Sequence, residues 1–295
     1  MTIRPRRSVL YMPGSNARAL EKARSLPADC LILDLEDAVA PDAKQLAREQ
    51  IAAALGQGGY GRREVIVRIN GFDTEWGDED LAAIAGLGAH AILVPKVETS
   101  EDIVVASAKL DATGAPTTLA LWVMMETPLG VLNVQSIAAA APHTRLTAFV
   151  MGTNDLAKEI RGRLKPGREP YLGMLGNCVL AARAYGLTIL DGVYNDFADQ
   201  AGFAEECSAG RNFGFDGKTL IHPSQIAPCN EKFGPDEQEL TQARAIVAAF
   251  DLEENKGKGV ITVDGRMVEL LHAEIARHTV EVAAAIEEMA SGAGQ

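Results

Sequence analysis

The feature that most constrains this chain is an alternation. Eight short apolar, β-branched runs recur at 7–12, 30–35, 64–69, 90–95, 118–125, 147–151, 187–191 and 213–221. Ala-rich stretches with helical character separate them, at 15–25, 41–55, 78–86, 99–112, 128–141, 171–185 and 196–209. Runs this continuously apolar suit a parallel sheet buried on both faces. Eight of them in strict alternation predict an α/β fold, a (β/α)8 TIM barrel over residues 1–230. A doubly wound sheet competes, but the first βα turn, Pro13-Gly14-Ser15, lacks the GxGxxG pattern of that fold. Residues 231–295 predict a C-terminal extension: a helix over 235–251, a hairpin over 255–269 turning at Asp264-Gly265, and a last helix over 267–290. Placed after a finished barrel, such an extension reads as a lid or an oligomerisation element.

Charge and cysteine usage narrow the function. The formal net charge is −12 and no basic stripe interrupts it, which argues against nucleic acid as a partner. An anionic substrate would therefore need a locally basic site. The four cysteines, Cys30, Cys178, Cys207 and Cys229, form no CxxC, so a reduced, cytoplasmic setting is expected. The opening stretch MTIRPRRSVLYMPGS does not read as a signal peptide, and no run approaches a membrane span.

In a barrel the active site lies at the C-terminal ends of the strands. The second run ends in Asp34, Glu36 and Asp37, the third in Arg68 and Asn70, the fourth in Lys96. The fifth ends in Glu126, the sixth in Asp155 and the seventh in Asp191. One such acid would read as a helix N-cap. A carboxylate from at least four strands on one rim reads instead as a site, because acids this crowded raise one another's pKa unless a cation sits among them. Hard oxygen donors with no His or Cys cluster suit Mg2+, or Mn2+, with further carboxylates holding the metal's waters. His222, Lys96, Trp76 and Trp122 read as a loop hydrogen-bonding residue, a salt-bridged residue and two packing residues.

Seven motifs in order at these strand ends carry a resemblance: RSVLYMPGSNARALEKA (7–23), DLEDAV (34–39), VRIN (67–70), PKVE (95–98), ETPLGVLN (126–133), GTNDL (152–156) and GFDGKTLIHPSQI (214–226). Together they resemble the citrate lyase beta-subunit family, which includes stand-alone malyl-CoA, methylmalyl-CoA and citramalyl-CoA lyases. The resemblance implies a Mg2+-dependent carbon–carbon lyase of 3-hydroxyacyl-CoA thioesters on a TIM barrel, assembled as a homotrimer or hexamer. Its substrates would be acyl-CoA and 2-oxo acids, with no membrane partner. By the same resemblance Glu126 and Asp155 match metal ligands, and Arg68 matches the arginine facing thioester and keto-acid. Glu36 and Asp37 match acids around the metal's waters. Arg18 and Lys22 match basic positions near the phosphates of coenzyme A, and the amides at Thr153, Asn154 and Asp155 match the receiver of the keto-acid carboxylate. The family's stand-alone lyases carry a Met-Ile-Asp or Met-Val-Asp segment whose Asp enters a neighbouring subunit's site. Here that segment is Met267-Val268-Glu269, so the acid is one methylene longer. The rival readings are a malyl-CoA thioesterase, a CoA-independent metal-dependent 2-oxo-acid aldolase and a non-catalytic partner subunit.

Overall fold

The computed structural model describes residues 3–292. The eight apolar runs become β1 (Ser8–Pro13), β2 (Cys30–Asp34), β3 (Glu64–Arg68), β4 (Ala91–Val94), β5 (Ala120–Met125), β6 (Leu146–Met151), β7 (Thr188–Asp191) and β8 (Gly217–Leu220). Each pairs in parallel with the next, and β8 pairs with β1, closing the barrel. Closure leaves no sheet edge unpaired. Around the strands run α1 (Ala17–Ala23), α2 (Lys44–Gln57), α3 (Gly77–Ile84), α4 (Ser100–Ala112), α5 (Pro128–Leu132), α6 (Val134–Ala139), α7 (Thr153–Glu159), α8 (Leu172–Ala184), α9 (Gln200–Phe213) and α10 (Ile226–Phe233).

Period-2 alternation sends one set of strand side chains into the barrel. Val9, Cys30, Ile32, Ile66, Leu93, Trp122, Met124, Val150 and Leu190 fill it as one buried cluster. At the N-terminal end Arg6 closes the interior. Its guanidinium pairs with Glu64 at 2.6 and 2.9 Å, donates to Thr188 Oγ1 at 2.6 Å and lies 5.0 Å from the Trp122 ring centroid. The buried charge is thus matched before the apolar layers begin. At the other end Asp34 and Arg68 stand opposite each other in the β2–β3 register.

The described residues form two compact units, Arg6–Asn230 and a second from Glu231 onward that also takes in residues 3–5. The second unit contains α11 (Glu237–Asp251), an antiparallel hairpin of β9 (Val260–Val263) and β10 (Arg266–Glu269), and α12 (Leu270–Gly292). The hairpin turns at Asp264 and Gly265, both at positive φ (50° and 75°), as a two-residue primed turn requires. Phe250, Ile261, Val268 and Ala273 form its core.

Three sequence expectations shift. The run 213–221 is a strand only from Gly217. Phe213 ends α9, and Gly214 at φ 102° caps it in the left-handed region. The helix expected over 128–141 breaks at Asn133 into α5 and α6. Asp191 does not join the rim acids. Its neighbour Leu190 takes the interior position, and Asp191, fully buried, pairs with Lys218 Nζ at 2.9 Å and Arg168 Nη1 at 2.7 Å. Lys218 also meets Glu206 of α9 at 2.7 Å. Burial alone would raise the Asp191 pKa; the two cations outweigh it and hold the carboxyl below its usual range.

This cluster locks β7, β8 and α9 together, and removing its central anion leaves two buried cations short of a partner. Asp191→Ala should therefore destabilise the fold by about 3–5 kcal/mol, read as a lower urea midpoint at unchanged m-value. A loss below about 1 kcal/mol would mean that the cluster contributes little.

Candidate active site

Arg68 organises the C-terminal rim. It is buried, and its fork grips Asp34 through Nε–Oδ1 at 2.7 Å and Nη2–Oδ2 at 2.6 Å. Its third nitrogen, Nη1, lies 2.7 Å from Glu36 Oε2, 3.5 Å from Asp37 Oδ2 and 3.6 Å from the Met124 sulfur. The Tyr11 ring packs under it at 4.9 Å. Burial would lower the arginine's pKa; Asp34 and Glu36 reverse this and raise it well above the ordinary value. The cation among the three acids of 34–37 is thus Arg68 itself, assisted by Lys96, whose Nζ meets Glu36 Oε1 at 2.8 Å.

Asp34 is also a local scaffold. Its two oxygens accept the backbone N–H groups of Glu36 at 2.9 Å and Ala38 at 3.1 Å. One carboxylate therefore fixes both the arginine and the turn that carries Glu36 and Asp37. Glu36 is 6% exposed, and burial, opposed by Arg68 and Lys96, raises its pKa. Asp37 is 57% exposed at its side chain and lines a cavity of about 290 Å³ with Arg68, Thr153, Asn154 and Asp155.

Glu126, the residue after β5, is in a different state. Its Oε1 accepts from the backbone of Lys96 at 2.9 Å, while its Oε2 is buried with no hydrogen-bond partner. Burial first, then the charges of Glu36 and Asp155, push its pKa up to about 8. Lys96 holds a left-handed backbone at φ 52° at this bond. Gly152, the residue between β6 and α7, leaves the space Glu126 needs: a Cβ there would strike Oε2 and Cβ of Glu126. Asp155 sits in the first turn of α7, half-buried, and makes no hydrogen bond or ion pair among the described residues. Thr153 is buried beside it, and Asn154 exchanges two amide hydrogen bonds with Asn195 at 3.1 and 2.8 Å.

An orphaned, buried carboxylate oxygen beside a second unpartnered carboxylate is a donor set that fits a hard divalent cation. That suits Mg2+, which takes one or two protein carboxylates and completes its shell with water and substrate oxygens. Glu126 and Asp155 are the residues that would hold it.

The remaining expected residues have other neighbours. Arg18 and Lys22 are exposed on α1, one turn from each other, with no acidic partner among the described residues. Glu269 ends β10 in the second unit, where its N–H donates to His272 Nδ1 at 3.0 Å. His222 caps the turn after β8 and stacks on Phe197, with centroids 4.6 Å apart.

The family model for HpcH/HpaI aldolase/citrate lyase matches residues 7–223. The chain belongs to that family. It is 52% identical over 282 residues, 96% of each chain, to a (3S)-malyl-CoA thioesterase of Cereibacter sphaeroides. It is 34% identical to an L-malyl-CoA/beta-methylmalyl-CoA lyase of the same species, over 90% of this chain and 91% of the relative. Among solved structures, the protein CitE of Mycobacterium tuberculosis in complex with magnesium, acetoacetate and coenzyme A superposes with a TM-score of 0.75. That match has 28% identity and covers 95% of this chain and 99% of the other. The family is enzymatic, with lyases and a thioesterase of CoA esters among its members.

The orphaned acid has a cost that can be measured. Burial and the neighbouring acids push the Glu126 pKa from 4.5 up to about 8. Between those values the fold binds the extra proton, so its stability falls as pH rises through that window. Glu126→Gln removes the effect. Without metal, this variant should be more stable than the parent by about 1–3 kcal/mol near pH 7.5, with the difference vanishing towards pH 4.5. Equal stabilities across the range would contradict the raised pKa.

Proposed function

We propose that this protein is a Mg2+-dependent enzyme acting on malyl-type 3-hydroxyacyl-CoA, and that its principal reaction is hydrolysis of the thioester. The observation that carries this reading is the 52% identity to a (3S)-malyl-CoA thioesterase along 96% of both chains. The rim geometry is compatible with it throughout.

Glu126 and Asp155 would hold the metal. When bound, Mg2+ polarises the substrate oxygens it meets and offsets charge that builds on them. The free N–H groups opening α7 at 153–155 receive the substrate's carboxylate. Arg68 keeps two of its nitrogens on Asp34 and offers Nη1 to the thioester oxygen. Nη1 lies 2.7 Å from Glu36 Oε2, and its other contact is the soft Met124 sulfur at 3.6 Å, which a thioester oxygen would displace. As charge develops on the thioester oxygen, a guanidinium already held in place stabilises it without reorganising. Asp37, more than half exposed and only 3.5 Å loosely paired, is the carboxylate able to take a proton from an attacking water. The water oxygen bonds to the thioester carbon, the C–S bond breaks, and the departing thiolate takes the proton back from Asp37, giving a free acid and the thiol of coenzyme A. Arg18 and Lys22 supply the positive charge for the CoA phosphates that the acidic chain otherwise lacks. Glu269 is the acid that the C-terminal extension contributes within a homo-oligomer.

Carbon–carbon cleavage is the second reading, favoured by the 34% identical malyl-CoA/methylmalyl-CoA lyase. It uses the same Mg2+, Arg68 and Asp155, but leaves the thioester intact and releases a 2-oxo acid.

The two outcomes part cleanly in one assay. With Mg2+ and (3S)-malyl-CoA, free thiol should appear in step with substrate loss, with little 2-oxo acid. Stoichiometric glyoxylate with no free thiol would establish the lyase reading instead. Turnover that survives chelation of the metal would contradict both.

A further inference from the structure

Lys44 opens α2 and is 6% exposed, although it is a lysine with no carboxylate in hydrogen-bond contact. Its ammonium has three N–H groups and uses all of them on neutral oxygens: Leu35 O at 2.7 Å, Glu36 O at 2.8 Å and Asn70 Oδ1 at 2.7 Å. The Trp76 ring lies 5.1 Å away on another side. Burial pulls its pKa below the ordinary value, against the charges of Asp34 and Asp80.

What matters is which peptide it grips. The group joining Leu35 and Glu36 is a trans peptide, so its C=O and N–H point in opposite directions. The C=O accepts from Lys44 and from Asn70 Nδ2 at 3.0 Å; the N–H donates to Asp34 Oδ1 at 2.9 Å. Lys44 and Asp34 thus clamp one peptide plane from its two sides. The clamp is braced from behind. Asn70 donates to Asp80 Oδ2 at 2.6 Å, and Asp80 Oδ1 accepts from Arg48 Nε at 3.0 Å, one turn along α2 from Lys44.

We infer that Lys44 is a positioning residue of the active site: through the 35–36 peptide it fixes the turn that presents Glu36 and Asp37 to Arg68. Its three hydrogen bonds go to the backbone of Leu35 and Glu36 and to Asn70, none of them to Glu126 or Asp155. Asp34 needs its two oxygens for Arg68, and the amides of Glu36 and Ala38 share them only in this backbone conformation. With the outer clamp gone, the 35–36 plane is free to rotate, and the acid–guanidinium geometry loosens while Glu126 and Asp155 stay in place. The arginine fork cannot substitute, because three separate oxygens surround a compact ammonium.

The catalytic consequence rests on the functional reading above; the structural one does not, and the test separates them. Lys44→Met in the full-length protein keeps length and apolar packing but removes the three donors. Hydrogen exchange should speed up by about tenfold or more at the Glu36 and Ala38 amides, with β3 and β5 unchanged. Removal of substrate, scored as total loss of malyl-CoA whatever the products, should slow about 30- to 100-fold in kcat. KM and the Mg2+ dissociation constant should stay within about threefold of the parent. Asn70→Ser, which weakens the same clamp, should move the same quantities in the same direction by less. Unchanged exchange at 36 and 38, or parallel loss of Mg2+ binding and kcat, would overturn the inference. So would failure of both variants to fold, which would make Lys44 a folding brace. Absence of malyl-CoA turnover in the parent, with the exchange effect present, would count against the functional reading alone.

Discussion

The bidentate pair between Arg68 and Asp34 is the interaction on which the rest of the rim depends. Both groups are buried, and an isolated charge at that depth would cost several kcal/mol. They sit opposite one another on adjacent strands, so the barrel register itself brings them together. Once paired, Asp34 still has lone pairs for two amides of the next turn, and Arg68 still has a nitrogen for the acids on that turn. A single ion pair therefore converts strand register into the orientation of Glu36 and Asp37.

Glu126 is the complement of that economy. Among the described residues Asp34 and Glu36 face the Arg68 guanidinium, whereas Glu126 Oε2 has neither a hydrogen bond nor an ion pair. Such a group calls for an explanation, and a cation that would complete it is one. Gly152 supports this view, because a side chain there would close the space against Glu126. The fold carries a destabilising acid at the position where a metal would offset it.

Much of this was legible in the sequence, and the limits have physical causes. The eight strands follow from apolar runs bounded by turns, since a parallel strand buried on both faces has no other way to read. Asp34, Arg68, Glu126 and Asp155 announced themselves as polar residues ending such runs. Asp191 satisfied the same rule but faces the helices, because Leu190 beside it on β7 takes the inward position; alternation, not nearness to the strand end, decides the face. Phe213 and Phe215 mimicked a strand because two aromatics around a glycine have period two, while the glycine's left-handed backbone in fact ends a helix. Lys44 gave no signal: a lysine at the start of a helix is ordinarily solvated, and its three acceptors are backbone and amide oxygens that come into reach only in the fold. Coordination among Arg48, Asp80, Asn70 and Lys44 is likewise invisible, since its members are spread over 37 residues of sequence.

The central claim is that the orphaned oxygen of Glu126 marks the metal position and that Arg68 stands beside it already engaged. The most direct measurement is a crystal structure grown with Mn2+ in place of Mg2+, with the anomalous signal of manganese locating the ion. The account predicts one strong peak within coordination distance of Glu126 Oε2 and the Asp155 carboxylate, at about 2.0–2.3 Å, with the Arg68–Asp34 fork unchanged. A peak among Asp34, Glu36 and Asp37 with Arg68 displaced, or none at the rim, would contradict it.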